Sequence, residues 1–184
     1  ISRNGVGVEN VDLAVAQQLG VVVCKASGSN SRGVAELAMA HILSLARWVT
    51  WSDKHLKGGG WERRKGIELI GRTLGLIGCG NIGRLVAKFA LGMDMKVLAY
   101  DVMPDQSFAP SVDFRYAALE EVLTNSEIIS LHCPALTGGK PLLDATALGK
   151  LKRGVFIVNT ARADLIDAAA LTTAIQSGQV AGVA

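Results

Sequence analysis

The sequence predicts an α/β fold built on a doubly wound parallel sheet. Three observations carry that prediction. Short apolar runs alternate with helical patterns at regular intervals from about residue 73 onward. Several of the runs, Ile128-Ile129-Ser130-Leu131 and Val155-Phe156-Ile157-Val158 among them, lack the polar alternation of a half-exposed strand, as expected when helices cover both faces of a sheet. A Gly78-x-Gly80-x-x-Gly83 turn then joins the first of these runs to a helical pattern.

Residues 1–30 open with Gly5-Val6-Gly7, continue through an amphipathic stretch from Val11 to Leu19 that Gly20 stops, and reach the apolar run Val21-Val22-Val23-Cys24. This reads as a helix followed by a buried strand, one β–α–β step already under way. Ser31 is placed to cap the next helix, in which Val34, Leu37, Ala38, His41, Ile42, Leu45 and Trp48 recur at helical spacing up to about Thr50. That helix is apolar on more than one side, so it lies deep in a core or at a subunit interface; the interface is the preferred reading. Gly58-Gly59-Gly60 ends the segment, and an irregular connection leads to Gly71. From there the pattern predicts strands at 73–77, 96–100, 127–132 and 154–159, helices at 82–92, 118–124, 144–150 and 167–177, and a last strand starting at Val180.

With 49% hydrophobic and 19% charged residues in 184, the chain can bury a substantial core. Its net charge of +3 is spread along the sequence. The one tight basic run, Arg63-Arg64-Lys65, is too short for a nucleic-acid surface. Cys24, Cys79 and Cys133 are odd in number and far apart, which speaks against a disulfide framework or a zinc site and fits a reducing cytoplasm. No apolar run approaches the roughly 18 residues that span a bilayer, so no membrane partner is expected. The start lacks both an initiator Met and the layout of a signal peptide, and the end falls within an apolar run; both suggest a piece of a longer protein.

The glycine turn has a complete context. Gly78 makes the tight turn, Gly80 admits a pyrophosphate close to the backbone, and Gly83 lets helix and strand pack together, while Asn81 and Ile82 open a helix whose free N–H groups face the phosphates. The second strand ends in Asp101, 18 residues past Gly83, near the spacing of about 20 for a carboxylate that binds a ribose hydroxyl pair. Because a carboxylate there repels a 2′-phosphate, the site prefers NAD to NADP. The competing readings are an ordinary strand-to-helix turn and an Asp that merely caps a strand end. A second constellation, Asn159-Thr160-Ala161-Arg162, sits at the carboxyl end of a later strand, where doubly wound sheets bind ligands. The guanidinium of Arg162 can pair bidentately with a substrate carboxylate and polarise a carbonyl. Its competing reading is a surface ion pair with Asp164 or Asp167.

Together, Gly5-Val6-Gly7-Val8-Glu9-Asn10-Val11-Asp12, Ala35-Glu36-Leu37, the glycine turn, Leu131-His132-Cys133-Pro134 and Asn159-Thr160-Ala161-Arg162 resemble the D-isomer-specific 2-hydroxyacid dehydrogenases, nearest their phosphoglycerate dehydrogenase branch. The resemblance implies a Rossmann nucleotide-binding domain over 31–184 and a crossover from the substrate domain over 1–30. It implies an oxidoreductase passing hydride between NAD and a small hydroxy or keto acid, 3-phosphoglycerate first and glyoxylate, hydroxypyruvate or D-lactate next. It also implies Arg162 as the catalytic arginine, Asn30 near the substrate and hinge, and His132, Pro134, Thr160 and Ala161 beside the cofactor. A homodimer through the 31–50 helix follows from it, as does an acid–base pair of Glu and His beyond Ala184. His41 then reads as core or interface and His55 as solvated surface; neither replaces the missing base. Ala163 and Asp164 stand where the family usually has glycines, and Leu136 to Pro141 departs from its Thr-rich version, so the substrate stays open. Arg63, Arg64 and Lys65 read as a solvated loop or as a phosphate contact. A module of another class, an NAD-dependent regulator like the corepressors of the same fold, is the alternative function.

Overall fold

The computed structural model describes residues 1–136 and 138–184; the expectation for Leu136 to Pro141 therefore includes one position, Thr137, outside the described residues. Residues 1–30 form a small unit in which β1 (Ser2–Arg3) and β2 (Cys24–Lys25) pair in parallel across α1 (Leu13–Gln18). Asp12 caps α1, its carboxylate accepting from the Val15 N–H at 2.9 Å. The strand expected at Val21-Val22-Val23-Cys24 is displaced toward its end. Because β1 is two residues long, Val21 to Val23 have no ladder partner in this sheet, and Val22 stays 73% exposed.

The helix expected from Ser31 to Thr50 is two helices, α2 (Ser31–Arg47) and α3 (Val49–Lys57), broken at Trp48 with φ +57°. The cause is tertiary. The Trp48 indole N–H donates to the Lys65 carbonyl at 3.1 Å, and the Arg64 guanidinium lies 5.0 Å over Trp48 and 4.1 Å over Trp51, so the returning connection holds the ring. Arg64 is thus committed to aromatic stacking. His55, expected at a solvated surface, lies on α3 and stacks on Trp51 at 4.7 Å. Ser31 does not cap α2 either: Asn30 holds the cap position without a side-chain bond, and Ser31 is buried.

The main sheet comprises β3 (Thr73–Ile77), β4 (Lys96–Tyr100), β5 (Phe114–Tyr116), β6 (Ile128–Leu131), β7 (Val155–Asn159) and β8 (Val180–Val183), all parallel, in the order β5-β4-β3-β6-β7-β8. That order is the doubly wound arrangement, with its reversal between β3 and β6. Between the strands run α4 (Asn81–Leu91), α5 (Leu119–Asn125), α6 (Ala145–Lys150) and α7 (Ala168–Gln176). The four central strands, β3, β4, β6 and β7, feed both faces. Leu74, Leu76, Ile128, Phe156 and Val158 join the core under α2 and α4; Ile77, Ile129, Leu131, Val155 and Ile157 join the core under α5, α6 and α7. The sequence pattern did not include β5, a three-residue edge strand whose Phe-Arg-Tyr alternates instead of forming an apolar run.

Candidate functional site

The sheet reverses its order between β3 and β6, and doubly wound sheets take ligands at the crevice outside the carboxyl ends of such strands. The His132 N–H donates to the Ile77 carbonyl at 2.8 Å, so the chain leaving β6 passes directly behind the glycine turn. Gly78 has φ +97°, and a Cβ there would lie 2.5 Å from the His132 carbonyl oxygen and 2.8 Å from the Cys133 nitrogen. A Cβ on Gly83 would overlap the Gly78 carbonyl, so α4 touches the turn through its own missing side chain. Gly80 is the opposite case: nothing lies within 4 Å of where its Cβ would be. The turn is therefore closed behind and open in front, with the N-terminus of α4 facing the opening. Gly28, just before Asn30, comes within 3.4 Å of the Asn81 amide by the same measure, so the loop carrying Gly28 lies against the glycine turn.

Asp101 follows β4 and its carboxylate is half-engaged by backbone, accepting from Cys79 N–H at 2.6 Å and Met103 N–H at 2.9 Å. It thus ties the glycine turn to the second strand, beyond simply ending that strand. Cys79 is buried, and burial pushes its thiol pKa up.

His132 Nε2 lies 2.9 Å from the Ser130 hydroxyl, while its Nδ1 is buried without a hydrogen-bond partner among the described residues. Burial pushes the imidazole pKa down to about 4, so the ring is neutral near pH 7. Ser130 was not singled out from sequence, although two residues apart on a strand means the same face. The Thr160 hydroxyl is another buried polar atom without a partner among the described residues, as is the Tyr116 hydroxyl on β5. Unpaired buried polar atoms are costly, and two of them on neighbouring strand ends, beside an open glycine turn, suit a polar ligand in the crevice. Pro134 is exposed at the end of the same segment.

Beyond β7, Asn159 shapes the loop: its amide donates to the Arg162 carbonyl at 2.8 Å and its oxygen accepts from Ala161 N–H at 3.0 Å. Arg162 borders a groove of about 540 Å³ also lined by Thr160, Ala161 and Ile166. Its partner is neither Asp164 nor Asp167. Asp167 caps α7, accepting from Ala170 N–H at 2.9 Å, and the guanidinium pairs instead with Glu9, 153 residues away. No local signal could have revealed that contact.

Residues 39–184 match the family described as D-isomer specific 2-hydroxyacid dehydrogenase, NAD binding domain. The chain belongs to this family. Among curated relatives, a hydroxypyruvate reductase of Thermotoga maritima is 41% identical over 182 residues, 98% of this chain and 58% of the relative. A D-3-phosphoglycerate dehydrogenase of Archaeoglobus fulgidus is 40% identical over 186 residues, 100% of this chain and 35% of the relative. The apo-structure of D-lactate dehydrogenase from Escherichia coli superposes with a TM-score of 0.91 at 31% identity, covering 100% of this chain and 58% of that one. The family's NAD-binding domain is thus the part of the molecule described here, and NAD is its cofactor. The chain spans about a third to three fifths of the length of these relatives. No described helix is long and apolar enough to cross a membrane.

Proposed function

We propose that this chain carries the NAD half of an oxidoreductase that moves hydride between a small D-2-hydroxy acid and the cofactor. The observation that carries the reading is Arg162 at the mouth of β7, beside the crevice, with one N–H on each terminal nitrogen uncommitted among the described residues. In this reading the dinucleotide lies along Gly78, Gly80, Asn81, Ile82 and Gly83, and Asp101 takes the ribose hydroxyls. His132, Pro134, Thr160 and Ala161 line the nicotinamide side, and Asn30 lies near the substrate at the hinge. When bound, NAD supplies the hydride acceptor. Arg162 binds the carboxylate and stabilises charge at the reacting oxygen, and the neutral His132 orients without exchanging protons. We assign proton transfer to residues outside this chain.

The first substrates to assay are 3-phosphoglycerate and hydroxypyruvate, since relatives named for each share about two fifths of the sequence. The exposed Leu37 and Leu43 on α2 support a homodimer through that helix. Arg162→Ala in the full-length protein should lower turnover on the order of 100-fold or more while leaving NAD affinity intact. Unchanged turnover would reject the reading.

A further inference from the structure

The loop Gly5 to Asp12 has no part in the reading above, yet it places a carboxylate against the side chain on which that reading depends. A guanidinium has five N–H donors. In Arg162, Nε donates to Glu9 Oε1 at 2.8 Å, Nη2 meets the same oxygen at 2.6 Å, and Nη1 donates to the Ala161 carbonyl at 2.9 Å. One hydrogen remains on Nη1 and one on Nη2, free for a carboxylate among the described residues.

The contact is shaped on the Glu9 side as well. A Cβ on Gly7 would meet Glu9 Oε2 and lie 3.0 Å from Arg162 Nη2, so the loop backbone runs close against the pair. Arg3 Nε donates to the Gly7 carbonyl at 3.1 Å and steadies the loop that carries Glu9. A carboxylate competing with substrate would occupy Nη1 and Nη2 together. Glu9 instead holds the Nε side of the group through one oxygen.

We propose that Glu9 is the positioning residue of Arg162, fixing its Nε and Nη2 from the N-terminal loop so that the remaining two hydrogens face the substrate carboxylate. The proposal rests on the reading of Arg162 as the substrate-binding arginine. A long side chain has many rotamers, and a displaced guanidinium forfeits much of its effect on a reaction that requires close alignment. With its side chain 65% exposed, Glu9 can be replaced without disturbing the core.

The test is steady-state kinetics of the full-length protein on a D-2-hydroxy acid, comparing Glu9→Ala, Glu9→Gln, Arg162→Lys and the double variant Glu9→Ala/Arg162→Lys. Glu9→Ala should lower kcat/KM about 10-fold, raise KM for the acid more than for NAD, and leave the unfolding midpoint in place. Glu9→Gln keeps an oxygen acceptor and should restore most of the rate. Once Arg162 is Lys, removing Glu9 should cost no more than about 2-fold, because the effect passes through the guanidinium. An equal loss in both backgrounds overturns the proposal, as does a lowered KM for the acid, which would make Glu9 a competitor. A normal rate in Glu9→Ala beside a slow Arg162→Lys rejects this proposal alone. A normal rate in Arg162→Lys rejects the Arg162 reading and the proposal with it.

Discussion

The ring of His132 occupies a position at the cofactor crevice where an acid–base would be sought, and burial holds its pKa at about 4, below the ordinary 6.5. On acidification the unfolded chain therefore takes up that proton first. The stability tied to the neutral ring is complete above about pH 6.5 and is lost as pH falls toward 4, with a slope of at most about 1.4 kcal/mol per pH unit. Urea unfolding at pH 7 and pH 5 should show a larger loss for the wild type than for His132→Asn; identical losses would contradict the assignment. At this scale the sequence was informative where a residue's role is local. Gly78, Asp101 and Arg162 are singled out by the motifs around them, whereas the unpaired Nδ1 of His132 depends on what packs around it. Glu9 meets Arg162 only because the chain returns after 153 residues.

At the level of elements, the β3–α4 turn makes opposite demands on its glycines. Gly83 has backbone where a side chain would go, and Gly80 has open space. Gly83→Ala should push α4 off the strand, lowering stability by about 1–3 kcal/mol and weakening NAD as well. Gly80→Ala should keep the wild-type unfolding midpoint and lose NAD affinity. Chemical unfolding paired with NAD titration separates the two, and a destabilised Gly80→Ala would show that the space is not free. The alternation of apolar strands and helical patterns was enough to place every strand of the main sheet except β5, because a sheet covered on both sides is written as continuous apolar runs. The break at Trp48 was illegible: it depends on Arg64 and Lys65 closing over the indole from beyond the triple glycine.

Across the whole molecule, the strand order puts the glycine turn, His132 and Arg162 on one edge of a single rigid sheet, while residues 1–30 lean on that edge through Glu9. The α2 helix serves both sides of this arrangement. Ala38, Ile42 and Ala46 face the sheet, while Leu37 and Leu43 are exposed about 120° apart around the helix, two separate apolar positions for a second copy to cover. Leu37→Arg/Leu43→Glu in the full-length protein should move the sedimentation coefficient from dimer to monomer with the core unchanged; a dimer that persists in that variant places the interface elsewhere. The two-sided apolarity of this helix was plain in the sequence, but which side met the sheet was not, since both carry similar residues.

The obstruction behind the glycine turn also limits how the cofactor preference of this lineage can drift. Gly78 is blocked by the His132 carbonyl and Gly83 by Gly78 itself, so neither position can accept a side chain that would read the nucleotide differently. The freedom lies after β4, where Val102 and Met103 are 81% and 84% exposed beside Asp101. Asp101 itself supports the turn through the Cys79 N–H. Asp101→Asn keeps one acceptor oxygen, enough for the Cys79 N–H or the Met103 N–H but not for both, so it retains only part of that support. The Asp101 carboxylate thereby serves both the shape of the turn and the proposed choice of dinucleotide, and the positions that can change while the turn stays fixed are the exposed Val102 and Met103.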